Sequence, residues 1–217
     1  MIIAGVDEAG IGCWAGPMVV VTAAFDEATE LPSGIRDSKR LSMEQRENVI
    51  DDIYERAEWV IIKVAQPALI NASKGIWALW DLMVKQILEE NRRRGAGKII
   101  VDGERMISSF KGAVYEAKAD DKYREVSAAS IVAKYVQTSA MEDLHEHHKQ
   151  FCFNQHHGYG TSVHKHWLDR LGPTPAHRTA YKPVAAYLER HPDRALELRQ
   201  LLLFDKLEIQ TTIIDRK

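Results

Sequence analysis

The chain begins Met-Ile-Ile-Ala-Gly-Val-Asp-Glu (1–8), an apolar run that ends in two carboxylates, Asp7 and Glu8. A short continuous apolar run of this kind is typical of a buried β-strand. A second apolar run, Ile-Ile-Val at 99–101, ends at Asp102 in the same way. We therefore expect three acidic side chains to lie at the ends of strands in the centre of one sheet.

A fourth acidic residue, Asp120, follows the strand-like stretch 113–118 and precedes a helix. Carboxylates placed close together at buried strand ends raise one another's pKa by repulsion. A hard divalent cation relieves that repulsion, because Mg²⁺ and Mn²⁺ prefer oxygen ligands. The four positions together predict a metal-dependent enzyme. The alternative for Asp120 is that it or Asp121 caps the helix that begins near Tyr123.

Asp7 and Glu8 pose a geometric difficulty, because adjacent residues of a regular strand point to opposite faces of a sheet. We expect the strand to break or twist at Glu8, helped by Gly10 and Gly12, so that both carboxylates reach one site. The alternative role for Asp7 is a strand-end carboxylate that caps a turn.

The rest of the chain predicts an α/β fold, with a mixed central sheet of about five strands flanked by helices. Apolar runs predict an antiparallel meander followed by two short strands, at 1–8, 17–25, 57–65, 98–102 and 113–118. Capping residues and helical spacing predict helices at about 42–55, 76–95, 126–148, 162–171, 182–190 and 193–206. Because glycine, proline and histidine interrupt the sequence beyond about residue 150, we divide it into a core at 1–150 and a helical C-terminal segment at 151–217.

The composition is that of an ordinary globular protein, with 45% hydrophobic residues, 28% charged residues and a net charge of −2 in 217 residues. This charge does not exclude a polyanionic partner, since a local basic groove can still bind phosphates. Cys13 and Cys152 form neither a metal-binding spacing nor a disulfide framework. No segment approaches the roughly 20 apolar residues that span a bilayer. We expect a cytoplasmic monomer that does not bind membranes.

Seven motifs, each weak alone, occur in register over nearly the whole length to about residue 185, and on these residues the chain resembles ribonuclease HII, a type 2 ribonuclease H. The motifs are Gly-Val-Asp-Glu-Ala-Gly (5–10), Asp-Ser-Lys (37–39) with Leu-Ser (41–42), Val-Asp-Gly (101–103), Lys-Ala-Asp (118–120), Ser-Ala-Ala-Ser-Ile-Val-Ala-Lys (127–134), His-Gly-Tyr-Gly-Thr (157–161) with His164, and His177-Arg178 with Pro183-Val184.

The resemblance implies an RNase H-like fold in which the C-terminal helical segment packs on the core and completes the substrate groove. It implies hydrolysis of the RNA strand in RNA–DNA hybrids and cleavage 5′ of ribonucleotides embedded in duplex DNA, leaving 3′-hydroxyl and 5′-phosphate ends. It also implies a site for two Mg²⁺ or Mn²⁺ ions. Asp7 would reach both ions, Asp102 and Asp120 would each help to hold one, and Glu8 would shape the side of the attacking water or the 2′-hydroxyl.

The same resemblance implies which residues read the substrate. Gly10, Ile11 and Gly12 would read a ribonucleotide through their backbone, since glycine permits a close approach. The family normally has arginine where this chain has Ile11, so one phosphate contact and about one unit of salt dependence are lost. The ring of Tyr159 would pack against the next deoxyribose, unless Tyr159 is an ordinary core tyrosine.

Further residues have two open interpretations each. Lys39 and Arg178, together with Lys182, are candidate phosphate contacts or ordinary solvated cations. The histidines between 145 and 177 are expected to form a solvated surface rather than a zinc site, since no His-Glu-x-x-His pattern occurs. His164 is expected to be structural or a DNA contact.

Two rival functions remain open. The first is a nuclease that cuts only long hybrids, because Ile11 has weakened the reading of a single ribonucleotide. The second is a protein that binds hybrids on the same fold without cutting them. The presence of all four carboxylates argues against the second rival.

Overall fold

A computed structural model describes residues 1–31, 35, 43–108, 110–202 and 207–216, which build one mixed sheet with helices on both faces. The strands are β1 (Ile2–Ala9), β2 (Met18–Asp26), β3 (Trp59–Ala65), β4 (Lys98–Asp102), β5 (Ala113–Glu116) and β6 (Gln210–Asp215). Their order across the sheet is β5-β4-β1-β2-β3-β6. The expected meander is confirmed, because β1, β2 and β3 pair antiparallel, while β4 is parallel to both β1 and β5.

The helices are α1 (Met43–Arg56), α2 (Pro67–Ala72), α3 (Ile76–Arg93), α4 (Ala119–Lys122), α5 (Arg124–His147), α6 (Phe153–His156), α7 (Ser162–Leu171), α8 (Lys182–Arg190) and α9 (Pro192–Leu202). The longer ones were expected from their apolar spacing, and the short α2, α4 and α6 were not. The expected capping residue of α1, Ser42, and the candidate phosphate contact Lys39 lie outside the described residues. Among the described helices, none is both long and apolar enough to pass through a bilayer.

The two faces of the sheet bury separate apolar clusters because side chains alternate along each strand. Val6 and Val20 face α3, where Met83 and Leu88 are fully buried. The neighbouring strand positions face α1 and α5 on the other side. The sheet is therefore covered on both faces, and its strand ends are where polar side chains become accessible.

The residues beyond 151 are not all helical, which corrects the expectation for the C-terminal segment. Residues 210–215 form β6, which pairs antiparallel with β3 and gives the sheet six strands rather than about five. The run Thr-Thr-Ile-Ile at 211–214 is β-branched, which suits a strand. The pairing of β6 with β3, some 150 positions earlier in the chain, cannot be predicted from the local sequence.

Gly5 lets α5 approach β1 unusually closely. A Cβ atom built on Gly5 would lie 2.2 Å from the backbone of Glu125 at the start of α5. The small residues Ala128 and Ala129 continue this contact along the helix and are fully buried. The close approach brings Ser130 of α5 beside Asp7 at the end of β1.

We predict that Gly5→Ala destabilises the fold by about 1–3 kcal/mol, because the new methyl group must push the α5 backbone away from β1. Gly12→Ala is the matched control, since a Cβ there would meet its nearest atom at 3.8 Å, an ordinary contact. Urea unfolding of both variants measures the difference. Equal stabilities would show that α5 does not depend on a glycine at position 5.

Candidate active site

Asp7 lies near the end of β1, and Asp102 is the last residue of the neighbouring parallel strand β4. In the register of β1 and β4, Val6 lies opposite Val101, so the next residues on each strand lie side by side. The backbone N–H of Ala119 donates a hydrogen bond to Asp102 Oδ1 at 2.6 Å. This bond ties the start of α4 to the end of β4 and brings Asp120 close enough for its charge to act on Asp102.

The expected break in the strand at Glu8 is wrong. β1 stays regular through Ala9, with Asp7 opposite Val21 and Glu8 opposite Val20 on β2. The two carboxylates therefore leave opposite faces of the sheet. They are still close enough for the charge of Glu8 to raise the pKa of Asp7.

Each of the two carboxylates is held by a helix on its own face. Trp80 of α3 donates its indole N–H to Glu8 Oε2 at 3.2 Å. Ser130 of α5 hydrogen-bonds Asp7, whose Oδ1 also accepts the backbone N–H of Glu8 at 2.7 Å. The site is thus clamped between α3 and α5 at one end of the sheet.

Burial and mutual repulsion make these carboxyl groups weak acids. Burial, followed by the neighbouring charge of Glu8, raises the pKa of Asp7 to about 8. Burial also raises the pKa of Glu8 to about 7, with a further contribution from the charge of Asp102. The pKa of Asp102 is raised by burial and by the charge of Asp120. The cluster therefore favours any positive charge placed among its oxygens.

The donor atoms fit a divalent cation, although their present positions do not form a finished site. Among the described residues, no three His, Cys, Asp or Glu side chains stand in the arrangement of a metal site. All four acidic side chains nevertheless offer carboxylate oxygens, the ligands that Mg²⁺ and Mn²⁺ prefer. A cation would also remove the repulsion that raises their pKa values. The fit therefore rests on donor chemistry and charge.

Arg178 does not lie where a phosphate contact is expected. Its side chain is fully buried, and it donates to the carbonyl oxygens of Ile11 and Gly16, both at 3.0 Å. Tyr181 also donates its hydroxyl hydrogen to the Ile11 carbonyl. The expectation of a direct contact is corrected: Arg178 braces the glycine-rich loop from below, because loop carbonyls need donors once they are buried.

Tyr159 lies beside this loop and faces solvent. It stands between Gly158 and Gly160 and is 42% exposed, which is against the alternative of a core tyrosine. A Cβ on Gly12 would lie 3.8 Å from its ring, and the Lys134 ammonium lies 5.2 Å from the ring centre. The loop and the tyrosine form one continuous surface.

Three histidines lie beneath this surface, contrary to the expected solvated cluster. His156, His164 and His177 are buried, and the rings of His156 and His164 stack at 4.5 Å. A sequence cannot distinguish these from exposed histidines, since the ring suits both environments.

The hydrogen bonds of this histidine cluster fix its protons. His164 Nδ1 lies 3.0 Å from the Tyr159 carbonyl oxygen, which can only accept, so Nδ1 carries the hydrogen. His177 Nδ1 accepts from the Thr174 N–H at 3.0 Å, so His177 Nε2 donates to His164 Nε2 at 3.2 Å. Burial lowers the pKa of His164 to about 4 and holds the pKa of His177 well below its ordinary value. The cluster is neutral at pH 7 and fixes the backbone of the Tyr159 turn.

Comparisons with known proteins identify the family that the chain resembles in sequence. The family model described as Ribonuclease HII matches residues 4–184. The chain is 37% identical over 187 residues to "Ribonuclease HII" of Thermotoga maritima, covering 86% of this chain and 76% of that protein. It is also 37% identical over 213 residues to "Ribonuclease HII" of Bradyrhizobium diazoefficiens, covering 96% and 78%.

A solved structure extends the similarity to the fold. The crystal structure of the ribonuclease H2 from Pyrococcus horikoshii matches with a TM-score of 0.74 and 27% sequence identity, covering 88% of this chain and 98% of that one. The expected RNase H-like fold is thereby confirmed.

We predict that Asp7→Asn raises the Tm at pH 8 by several degrees. For a protein of this size, a gain of about 1 kcal/mol in stability corresponds to a rise of about 2–4 °C in Tm. The wild-type carboxyl titrates near 3.8 when unfolded and at about 8 when folded. Between these values the folded state binds more protons, so wild-type stability falls as pH rises. The gain from asparagine should therefore grow from pH 4 to pH 8 and then level off. Thermal unfolding across that range would refute this if the variant were less stable at pH 8.

Proposed function

The chain belongs to the ribonuclease HII family of endoribonucleases, and from this we propose that it cuts the RNA strand of RNA–DNA hybrids and cuts 5′ of ribonucleotides embedded in duplex DNA, with Mg²⁺ or Mn²⁺ as cofactor. The observation that carries the proposal is the meeting of Asp7, Glu8 and Asp102 at one end of the sheet, with Asp120 tied to Asp102 through α4. Nucleic acid is the proposed partner, and a cytoplasmic monomer the proposed state.

The residues that would hold the metal ions are Asp7, Glu8, Asp102 and Asp120. Bound divalent cations supply a deprotonated water at neutral pH and relieve the charge on the leaving oxygen. Asp7 is central, because its charge interacts with those of both Glu8 and Asp102. Glu8 orients the attacking water or the 2′-hydroxyl, and Trp80 fixes the Glu8 carboxylate while it does so. Cleavage leaves 3′-hydroxyl and 5′-phosphate ends.

Selection of the ribonucleotide belongs to the loop of Gly10, Ile11 and Gly12 and to Tyr159. Arg178 holds the carbonyls of the loop in place, so the loop backbone meets the 2′-hydroxyl in a fixed geometry. A fixed geometry lowers the entropy lost when substrate binds. The exposed ring of Tyr159 offers a flat apolar surface to the next deoxyribose.

A hybrid-only nuclease is the second candidate, and Ile11 favours it. Its side chain carries no charge and packs against the apolar cluster beneath β1 and α3. The Ile11 side chain therefore cannot make the phosphate contact of an arginine. A long hybrid offers many backbone contacts and depends little on any one of them, whereas an isolated ribonucleotide depends on the loop.

We predict cleavage of two substrates in Mg²⁺ or Mn²⁺, a long RNA–DNA hybrid and a DNA duplex with one ribonucleotide. Asp102→Asn should reduce both rates by more than about 100-fold. Removing a residue that only hydrogen-bonds a metal ligand costs about 10–100-fold in activity, and removing the ligand itself should cost more. Gel analysis of end-labelled strands gives the rates and the cut positions.

Each outcome of this assay separates the candidates. Cleavage of the hybrid alone would establish the hybrid-only nuclease. If wild type leaves both substrates intact while wild type and Asp102→Asn bind them equally well, the protein is a binder and the enzymatic proposal is overturned.

A further inference from the structure

A groove of about 880 Å³ continues from the glycine-rich loop towards the start of α3. Its walls come from four segments: residues 11–12 of the loop, residues 70–71 of α2, residues 73–78 before and within the first turn of α3, and residues 180–182 before and at the start of α8. Residue 12 also borders Tyr159. The groove is therefore an extension of the surface that reads the ribonucleotide.

The groove carries positive charge only. Lys74 and Lys182 are its charged lining residues, both are exposed, and no acidic residue lines it. Neither lysine forms an ion pair with another of the described residues, so both charges are available to a ligand. A second groove, beside Lys63, includes Glu89 and Glu90 in its lining, which offset its cations. Charge thus distinguishes the two grooves.

Trp77 gives the groove a flat apolar wall. Its side chain is 48% exposed, and its ring meets that of Trp80 edge-on at 6.2 Å between centres. Trp80 is the residue that holds Glu8. A ligand lying against Trp77 would therefore be two side chains away from the acidic cluster. Two cations and an aromatic face in one groove suit a sugar–phosphate backbone, whose phosphates need charge and whose sugars offer an apolar side.

We propose that this groove binds the sugar–phosphate backbone of the substrate duplex, with Lys74 and Lys182 contacting phosphates and Trp77 lying against a sugar. The two lysines supply the cationic contact that the uncharged Ile11 cannot make at the same groove. This inference rests on the proposed function, because it assigns a subsite to the same substrate.

The test is the salt dependence of binding, measured by fluorescence anisotropy with a labelled RNA–DNA hybrid in EDTA so that no cleavage occurs. Each lost phosphate contact makes the negative slope of log K against log salt shallower by about 0.9. The double variant Lys74→Ala with Lys182→Ala should therefore reduce the magnitude of the slope by about 1.8. Lys149→Ala with Lys165→Ala is the matched control, since it removes two exposed, ion-paired lysines outside the groove.

Two further variants separate charge from shape. Trp77→Ala should weaken binding at every salt concentration without changing the slope, because it removes an apolar contact. Ile11→Arg, added to the double lysine variant, should restore about 0.9 of the slope, since residue 11 lines the same groove.

A slope for the double lysine variant equal to that of the control would overturn the subsite. If the wild-type protein then still cuts the hybrid in Mg²⁺, the proposed function stands and only the groove assignment falls. If the wild-type protein neither binds nor cuts the hybrid, both fall together.

Discussion

The burial of Asp7 among other carboxylates is the interaction on which the rest of this structure depends. Its pKa is raised to about 8, chiefly by burial and then by Glu8. Such a cost persists only where the surrounding structure fixes the groups, as at functional sites. Here the parallel pairing of β1 with β4 sets Asp7 against Asp102, and the close approach of α5 at Gly5 sets Ser130 beside it.

The substrate-reading surface is rigid for a different reason. Its loop and its tyrosine turn lack regular secondary structure, so buried side chains supply their hydrogen bonds. Arg178 donates hydrogen bonds to the loop carbonyls, and His164 of the neutral histidine cluster donates one to the carbonyl of Tyr159. Trp14 joins the two by donating its backbone N–H to the Gly158 carbonyl at 2.8 Å. A cluster of buried carboxyl groups with raised pKa values thus lies beside a reading surface whose loop and turn accept hydrogen bonds from buried side chains.

The central strands and the long helices could be predicted from the sequence, because each has its own apolar periodicity. The same is true of the acidic strand ends, since Asp7 and Asp102 stop apolar runs. The sequence does not predict that β1 stays regular at Glu8. In the structure Trp80 of α3 hydrogen-bonds the Glu8 carboxylate on the opposite face from Asp7, and no local pattern in the sequence indicates this contact. β6, the burial of Arg178 and the buried histidines depend on partners far away in the sequence, which local patterns do not reveal.

The most direct measurement is a carbon-detected NMR titration of the Asp7 carboxyl group, with and without Mg²⁺. We predict a midpoint near 8 without divalent cations, from burial and repulsion. With saturating Mg²⁺ the midpoint should fall, because a cation among the oxygens favours the charged form. A midpoint close to the ordinary value of 3.8 that does not respond to Mg²⁺ would contradict the idea of a buried, cation-seeking cluster.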